Sequence, residues 1–495
     1  MPKNNKKNRK SIKLKPLFCI LAIVIPVASY VFFVFKHTNL FMLNPSGYFY
    51  IWFWDILSSG KILRLQSTIP RPLLVFFYGL LATPSLFWIE ALKMFLMIGL
   101  GYGIYELSHR VTESYLLAVF TEVLVFTIPL AIKNIAFGTD SFVATTFIIW
   151  AIYFYIEEHY ALVSLLLLLA GLIRPEAWLL NIFLIIHSFI ASKKFRMPLL
   201  IGLLSPFLWI TFDFFLTKDP FYSFKVLNHY FTVTSTPVLS FKEIINSYYT
   251  TFLSNSSIYL IIILLLSILF SLLKRQYETI LLVTASSVIF LIVSCISVFT
   301  GFYRESYILL PLILFVTLIP FFLKSIFSFT SEVIPYLLFA GLIGINDYSL
   351  KRKYKDMINC FLIEKNKQEA CRQMAPQVSV IDDKIVLMPY QRIGMFAYLN
   401  RKAYTNNILS ERDMIARGLS LSDLNYVVFI TNDFDKSAER ILAPILQNKE
   451  QNDIIRTGNA IIQSLYTTPN GLGKIFKIFV LKESEQGQID RAKPQ

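Results

Sequence analysis

The chain has 495 residues, 55% of them hydrophobic and only 16% charged, with a formal net charge of +15. Soluble domains carry about 25% charged residues, so a chain with a mean hydropathy of +0.57 excludes a single soluble core and takes lipid as the solvent for most of its surface. The basic excess does not mark a nucleic-acid-binding face: Lys3, Lys6, Lys7, Arg9, Lys10, Lys13 and Lys15 crowd the first fifteen residues, directly before an apolar run, as a positive-inside anchor does.

That run, 17–35, is too long for the core of a signal peptide and lacks a small-x-small cleavage site, so it reads as a retained first span. Next comes Gly47–Gly60, GYFYIWFWDILSSG, with six aromatics between Tyr48 and Trp54. This predicts an aromatic-rich amphipathic helix lying at the bilayer interface, with Asp55 on one face beside Tyr48, Ile51, Trp52 and Ser59. Pro72–Ala82 is apolar but short and bounded by Pro72 and Pro84, which predicts a half-buried or re-entrant helix. Further spans are expected near 86–106, 114–132, 141–157, 160–173, 177–192, 197–216, 256–273, 279–299, 305–323 and 333–348, about eleven in all.

With the N-terminus inside, the cytoplasmic turns fall around Arg110, Glu157–His159, Lys193–Arg196, Lys274–Arg275 and Lys324. Two long loops, 36–85 and 217–255, then lie outside, as does everything after the last span. From about Leu350 the composition turns polar. Ile385–Met388, Tyr426–Thr431 and Ile475–Leu481 read as strands, and 352–374, 410–418 and 437–449 as helices. The expected architecture is a polytopic α-helical membrane protein with a small α/β C-terminal extracytoplasmic domain: a basic tail over 1–16, a membrane domain over 17–348 and a soluble domain over 349–495. No metal-ligand spacing or cofactor motif is found. Cys360 and Cys371 lie roughly 16 Å apart along a helix, too far for a disulfide, which needs about 7 Å or less.

Ionisable groups at membrane depth are costly unless paired or wet, which makes them candidates for function. Asp140, Arg174 with Glu176, Asp213, and Arg304 with Glu305 all fall at the outer end of the predicted topology. Guanidinium groups there suit an anionic head group, and a carboxylate beside them suits a general base. The alternative for each is a structural ion pair between helices. Lys93 and Glu122 lie deeper, and either fits a structural pair.

Three segments, Ser46–Gly60, Phe137–Ser141 (FGTDS) and Ala170–Trp178 (AGLIRPEAW), together resemble those of the GT-C glycosyltransferases, such as the lipid A aminoarabinose transferases and the protein O-mannosyltransferases. Ser46–Gly60 (SGYFYIWFWDILSSG) is similar to their first-loop motif, an acidic residue followed by Gly-Tyr-Tyr-Tyr and later Leu-x-x-Gly. Phe137–Ser141 (FGTDS) resembles the segment bearing their second acidic residue, and Ala170–Trp178 (AGLIRPEAW) their Gly-Leu-x-Arg-Pro-Glu turn. Lys218–Phe221 and Gly301–Tyr307 are weaker echoes, and the resemblance covers residues 10–330. It implies an inverting transfer of one sugar from a polyprenyl-phosphate donor to a lipid, glycan or protein acceptor hydroxyl, at the outer face of a plasma or inner membrane, with no cofactor. It implies Asp140 or Asp55 in the acidic role and Arg174, Glu176, Arg304, Ser46 and Tyr48 in substrate binding. The chain departs from the motif at Ser46, where relatives carry an acid, and serine accepts no proton at neutral pH. Either Asp140 takes the role, or Asp55 reaches the site through a different loop packing, or the protein is a non-catalytic scaffold. A (glyco)lipid transporter is a further alternative. It would show paired half-helices and internal repeats, and the sequence has one interrupted region near Pro72–Pro84 with no counterpart in the second half.

Overall fold

A computed structural model describes residues 5–36, 45–63, 69–83, 85–192, 196–226, 257–273, 308–327, 333–381, 385–400, 408–410, 413–414, 418–431, 433, 454–457 and 460–480, with isolated residues 243, 246, 250 and 286. The expected span 279–299, the segment Gly301–Tyr307 with Arg304 and Glu305, most of the loop 217–255, and the expected helix 437–449 lie outside the described residues.

The first half of the chain is almost wholly helical: α1 (Asn5–Tyr30), α2 (Pro45–Ser58), α3 (Pro72–Ala82), α4 (Leu86–Thr112), α5 (Tyr115–Phe126), α6 (Pro129–Phe137), α7 (Asp140–Ile156), α8 (Tyr160–Gly171), α9 (Glu176–Ser192) and α10 (Ser205–Thr217, after a 3-10 stretch Met197–Leu204). After them come α11 (Ile258–Leu273), α12 (Leu309–Val316), α13 (Ile319–Phe327) and α14 (Ile334–Ser349). Four helical stretches among the described residues are long and apolar enough to cross a membrane: Lys15–Phe35, Leu86–Thr112, Met197–Thr217 and Leu309–Ile326. Large apolar side chains point outward around the bundle, among them Phe95, Ile190, Phe207 and Leu337. Such a belt needs lipid, and the chain is an integral membrane protein.

Local chemistry sets the element ends. Ser85 accepts from the Phe87 amide to start α4, and Thr139 accepts from the Phe142 amide to start α7. The expected straight span 114–132 is corrected. Pro129 has no amide hydrogen to continue the α5 ladder, and α6 leaves α5 at 70°.

After α14 the chain continues into the long α15 (Lys351–Ser379) and then α16 (Ile393–Asn400). Strands β1 (Val386–Met388), β2 (Ile408–Ser410), β3 (Tyr426–Ile430), β4 (Ile454–Thr457), β5 (Ala460–Thr467) and β6 (Gly473–Val480) form one sheet in the order β2-β1-β3-β6-β5-β4. The β2-β1-β3 part is parallel and the rest antiparallel. Alternation splits the sheet faces. Leu387, Val427 and Phe476 form one small core with Leu409 and Leu424. Met388, Val428 and Ile475 join a cluster that runs without a break through α15, α16 and α2 into the helical bundle. The sheet domain and the bundle therefore share a core.

The aromatic helix α2 lies inside this shared core, not at the bilayer interface as its composition predicts. Trp52, Phe53 and Ile56 are fully buried, and Tyr48, Phe49, Tyr50 and Ile51 nearly so. Protein covers it on two sides, α3 on one and α16 on the other. Aromatic rings serve a protein core as readily as a membrane interface, so composition alone did not distinguish the two.

Candidate functional site

Four charged side chains meet at the end of the bundle beneath the sheet domain. Arg174 lies in the turn between α8 and α9. Its Nε and Nη2 donate to the two carboxylate oxygens of Glu176 at 3.2 and 2.7 Å, a bidentate fork. Its Nη1 donates to the hydroxyl of Ser141, the residue after Asp140. The opposite side of the site is Arg71, which caps the start of α3 in extended conformation, as the following Pro72 favours. The Arg71 Nη2 lies 3.5 Å from Asp140 Oδ2, and both side chains are mostly but not wholly buried. Arg71 also acts electrostatically on Glu176, so the two pairs form one cluster. The Leu73 amide donates to the Leu172 carbonyl and ties α3 to the α8–α9 turn.

Tryptophans floor the cluster. The Arg71 guanidinium lies 5.6 Å from the Trp209 ring centroid. Trp209 meets Trp178 edge-to-face at 6.0 Å, and Trp178 Nε1 donates to the Gly171 carbonyl. Asp213, expected at this end, is structural: fully buried, it accepts from the Ser223 amide and hydroxyl, both at 2.9 Å, while Trp209 Nε1 donates to the same hydroxyl at 3.1 Å.

The turn before Asp140 is heavily braced. Gly138 ends α6 in the left-handed region at φ 58°, where a Cβ would meet Lys93 Cδ at 2.8 Å and Tyr78 Oη at 2.9 Å. Tyr78 donates to the Gly138 carbonyl at 2.8 Å, and Lys93 Nζ donates to the Ala136 carbonyl at 2.9 Å. Lys93 also pairs with Glu90 at 2.6 Å, and Glu90 accepts from Tyr30 at 3.0 Å. Lys93 is thus a structural pair with Glu90 and not with Glu122. Among the described residues neither carboxyl oxygen of Glu122 has a hydrogen-bond partner.

Among the described residues, no hydrogen bond or ion pair links the remaining sequence candidates to this cluster. Asp55 makes no hydrogen bond or ion pair with Arg71, Arg174 or Asp140 among the described contacts, and burial alone pushes its carboxyl above the usual range. Tyr48 is 1% exposed, with its ring 5.8 Å from that of Tyr398 on α16. Ser46 lies in the first turn of α2, with its side chain outside the described residues, as is Arg304. Sequence reading missed Arg71. Its signal was Pro70-Arg71-Pro72, a cation fixed between prolines at the start of the short helix α3.

Two structures of ArnT from Cupriavidus metallidurans, a GT-C aminoarabinose transferase, match nearly the whole chain. The apo state matches at a TM-score of 0.51 and 10% identity, over 98% of this chain and 100% of that one. The state bound to undecaprenyl phosphate matches at 0.52 and 11%, over 94% and 98%. The fold is GT-C-like. No family model matches the chain, and no curated protein sequence matches it. Within the GT-C-like fold, Arg71 and Asp140 approach from α3 and α7, and Arg174 and Glu176 from the α8–α9 turn, so three separate parts of the chain build one polar cluster at a bundle end.

Proposed function

We propose that the chain is a membrane glycosyltransferase that moves a sugar from a polyprenyl-phosphate donor to an acceptor hydroxyl at the outer face of the membrane, with inversion. The observation that carries this reading is the Arg71–Asp140 contact beside the Arg174–Glu176 fork. The acceptor oxygen attacks the anomeric carbon, Asp140 takes the acceptor proton, and the bond to the phosphate breaks. The leaving phosphate needs cationic stabilisation. Arg174 is held by its fork, whereas Arg71 meets Asp140 through a longer contact. Arg71 is therefore the cation that exchanges its carboxylate for phosphate, which leaves Asp140 ionised to act as base.

In this reading about eleven spans carry the site, the basic tail lies in the cytoplasm, and the sheet domain lies outside. Arg304 adds a second cation to the phosphate side, Glu176 orients Arg174, and Ser46 and Tyr48 belong to the wall formed by α2. The support is the ArnT-like fold together with the clustering of charge at one bundle end. Transfer of a labelled sugar from a polyprenyl-phosphate donor by the purified protein is expected, and full activity in both Asp140→Asn and Arg174→Ala rules the site out.

Ser46 at the first-loop acidic position, with no ion pair joining Asp55 to the cluster among the described residues, favours a second reading, a GT-C-like scaffold without catalysis. A protein without transfer activity that gains it on Ser46→Asp would establish this second reading.

A further inference from the structure

Two mechanical paths lead from the sheet domain to the charged cluster. On the first, Gly394 of α16 lies so close to α2 that a Cβ would sit 2.7 Å from the Phe49 nitrogen, 2.7 Å from the Tyr48 carbonyl carbon and 2.8 Å from the Tyr48 oxygen. At its other end α2 lays Trp54 directly on Gly79 of α3, and α3 begins at Arg71. On the second path, Phe361 of α15 packs edge-on against Phe137 at 5.4 Å, three residues before Asp140.

The two paths are joined inside the domain. Arg392, immediately before α16, forks onto Glu364 of α15, with Nη2 to Oε2 at 2.8 Å. It also bonds Asp433, just after β3, through Nη2 to Oδ1 at 3.3 Å, and Asp433 is paired with Lys367 of α15. Arg392 is 1% exposed. In open sheets ligands bind beyond the carboxyl ends of parallel strands, where the strand order reverses. Here Arg392 follows β1 and Asp433 follows β3, at that position. Buried ion pairs and α2 fill the place where a ligand would sit, so the crevice grips a part of its own chain.

We propose that the sheet domain is a clamp that sets the spacing of Arg71 and Asp140, with Gly394 and the Arg392–Glu364 fork as positioning residues. The inference rests on the functional reading above, because it assigns the clamp to that same site. Misplacing a group of the site by about 1 Å can cost about 100-fold in rate and loosens the directional charge-assisted contacts that hold an anion, and neither the Tyr48 nor the Phe49 backbone can swing aside for a methyl group at position 394.

The test is the Kd of the purified full chain for undecaprenyl phosphate, read beside its thermal unfolding. Gly394→Ala is expected to weaken binding about tenfold. Trp54→Leu, which takes the ring off Gly79, is expected to weaken it about threefold and keeps the test alive if Gly394→Ala does not fold. Leu409→Ala, in the separate outer core of the sheet, is expected to lower the unfolding temperature while leaving the Kd unchanged. Arg71→Ala separates the two ideas: an unchanged Kd there overturns the functional reading. A weakened Arg71→Ala with wild-type Kd in Gly394→Ala or, if that variant does not fold, in Trp54→Leu overturns the clamp alone. Equal weakening in Leu409→Ala and Gly394→Ala also overturns it, because general destabilisation then explains both.

Discussion

The two arginine–carboxylate pairs of the site are built in opposite ways. Arg174 and Glu176 are two residues apart in one turn and meet in a fork whose shorter arm is 2.7 Å. Arg71 and Asp140 come from different elements, and their guanidinium and carboxylate approach to 3.5 Å. The first pair is closed by local chain geometry and pre-forms the site. The second depends on the packing of α3, α7 and the α8–α9 turn, and it is the pair that the proposed function has a phosphate open. In the proposed function the held fork keeps one guanidinium in place, and the longer contact is the one that a phosphate replaces.

The comparison breaks most visibly at Asp140. As general base, its replacement in Asp140→Asn is expected to slow sugar transfer about 100- to 10,000-fold with little change in unfolding. At the anchor, Arg174→Ala leaves Glu176 mostly buried without its fork. The expected loss is about 3 kcal/mol of stability, read by thermal unfolding in detergent. At the exchangeable pair, Arg71→Ala is expected to act more on ligand than on fold. Loss of one charge-assisted contact to phosphate weakens undecaprenyl-phosphate binding about tenfold, and the carboxylate of Asp140 left behind costs about 1–2 kcal/mol of stability, less than at Arg174 because the contact is longer. If Arg71→Ala destabilises the protein as much as Arg174→Ala, the two pairs do not differ in kind.

The smallest effect belongs to Asp55. Burial raises its carboxyl in the folded protein, with no offsetting partner among the described residues. Folding therefore favours its protonated form: the cost is absent below the carboxyl's unfolded range and present once the pH exceeds the raised folded value. Asp55→Asn is expected to raise the unfolding temperature slightly at pH 7 and to leave it unchanged near pH 3.

What could be read from the sequence follows the same division. The α8–α9 turn was legible because Arg174, Pro175 and Glu176 are neighbours and their geometry is local. The β1, β3 and β6 strands were legible from β-branched runs, and the short helix α3 from its bounding prolines. Arg71 was not, because its partner Asp140 lies on another helix and no local pattern links them. The α5–α6 bend was missed because hydropathy runs smoothly through Pro129, whose lost amide decides the geometry. The aromatic helix was misassigned because burial between α3 and α16 asks for the same residues as a membrane interface. Asp55 was singled out from the spacing along α2, yet among the described residues no ion pair or hydrogen bond joins it to the charged cluster.

The most direct test of the central claim sets Asp140→Asn beside Asp55→Asn in the purified full chain. Both are assayed for sugar transfer from a polyprenyl-phosphate donor and for retained fold. The account expects wild-type turnover in Asp55→Asn and loss of about 100-fold or more in Asp140→Asn. Loss in Asp55→Asn with turnover preserved in Asp140→Asn would contradict it.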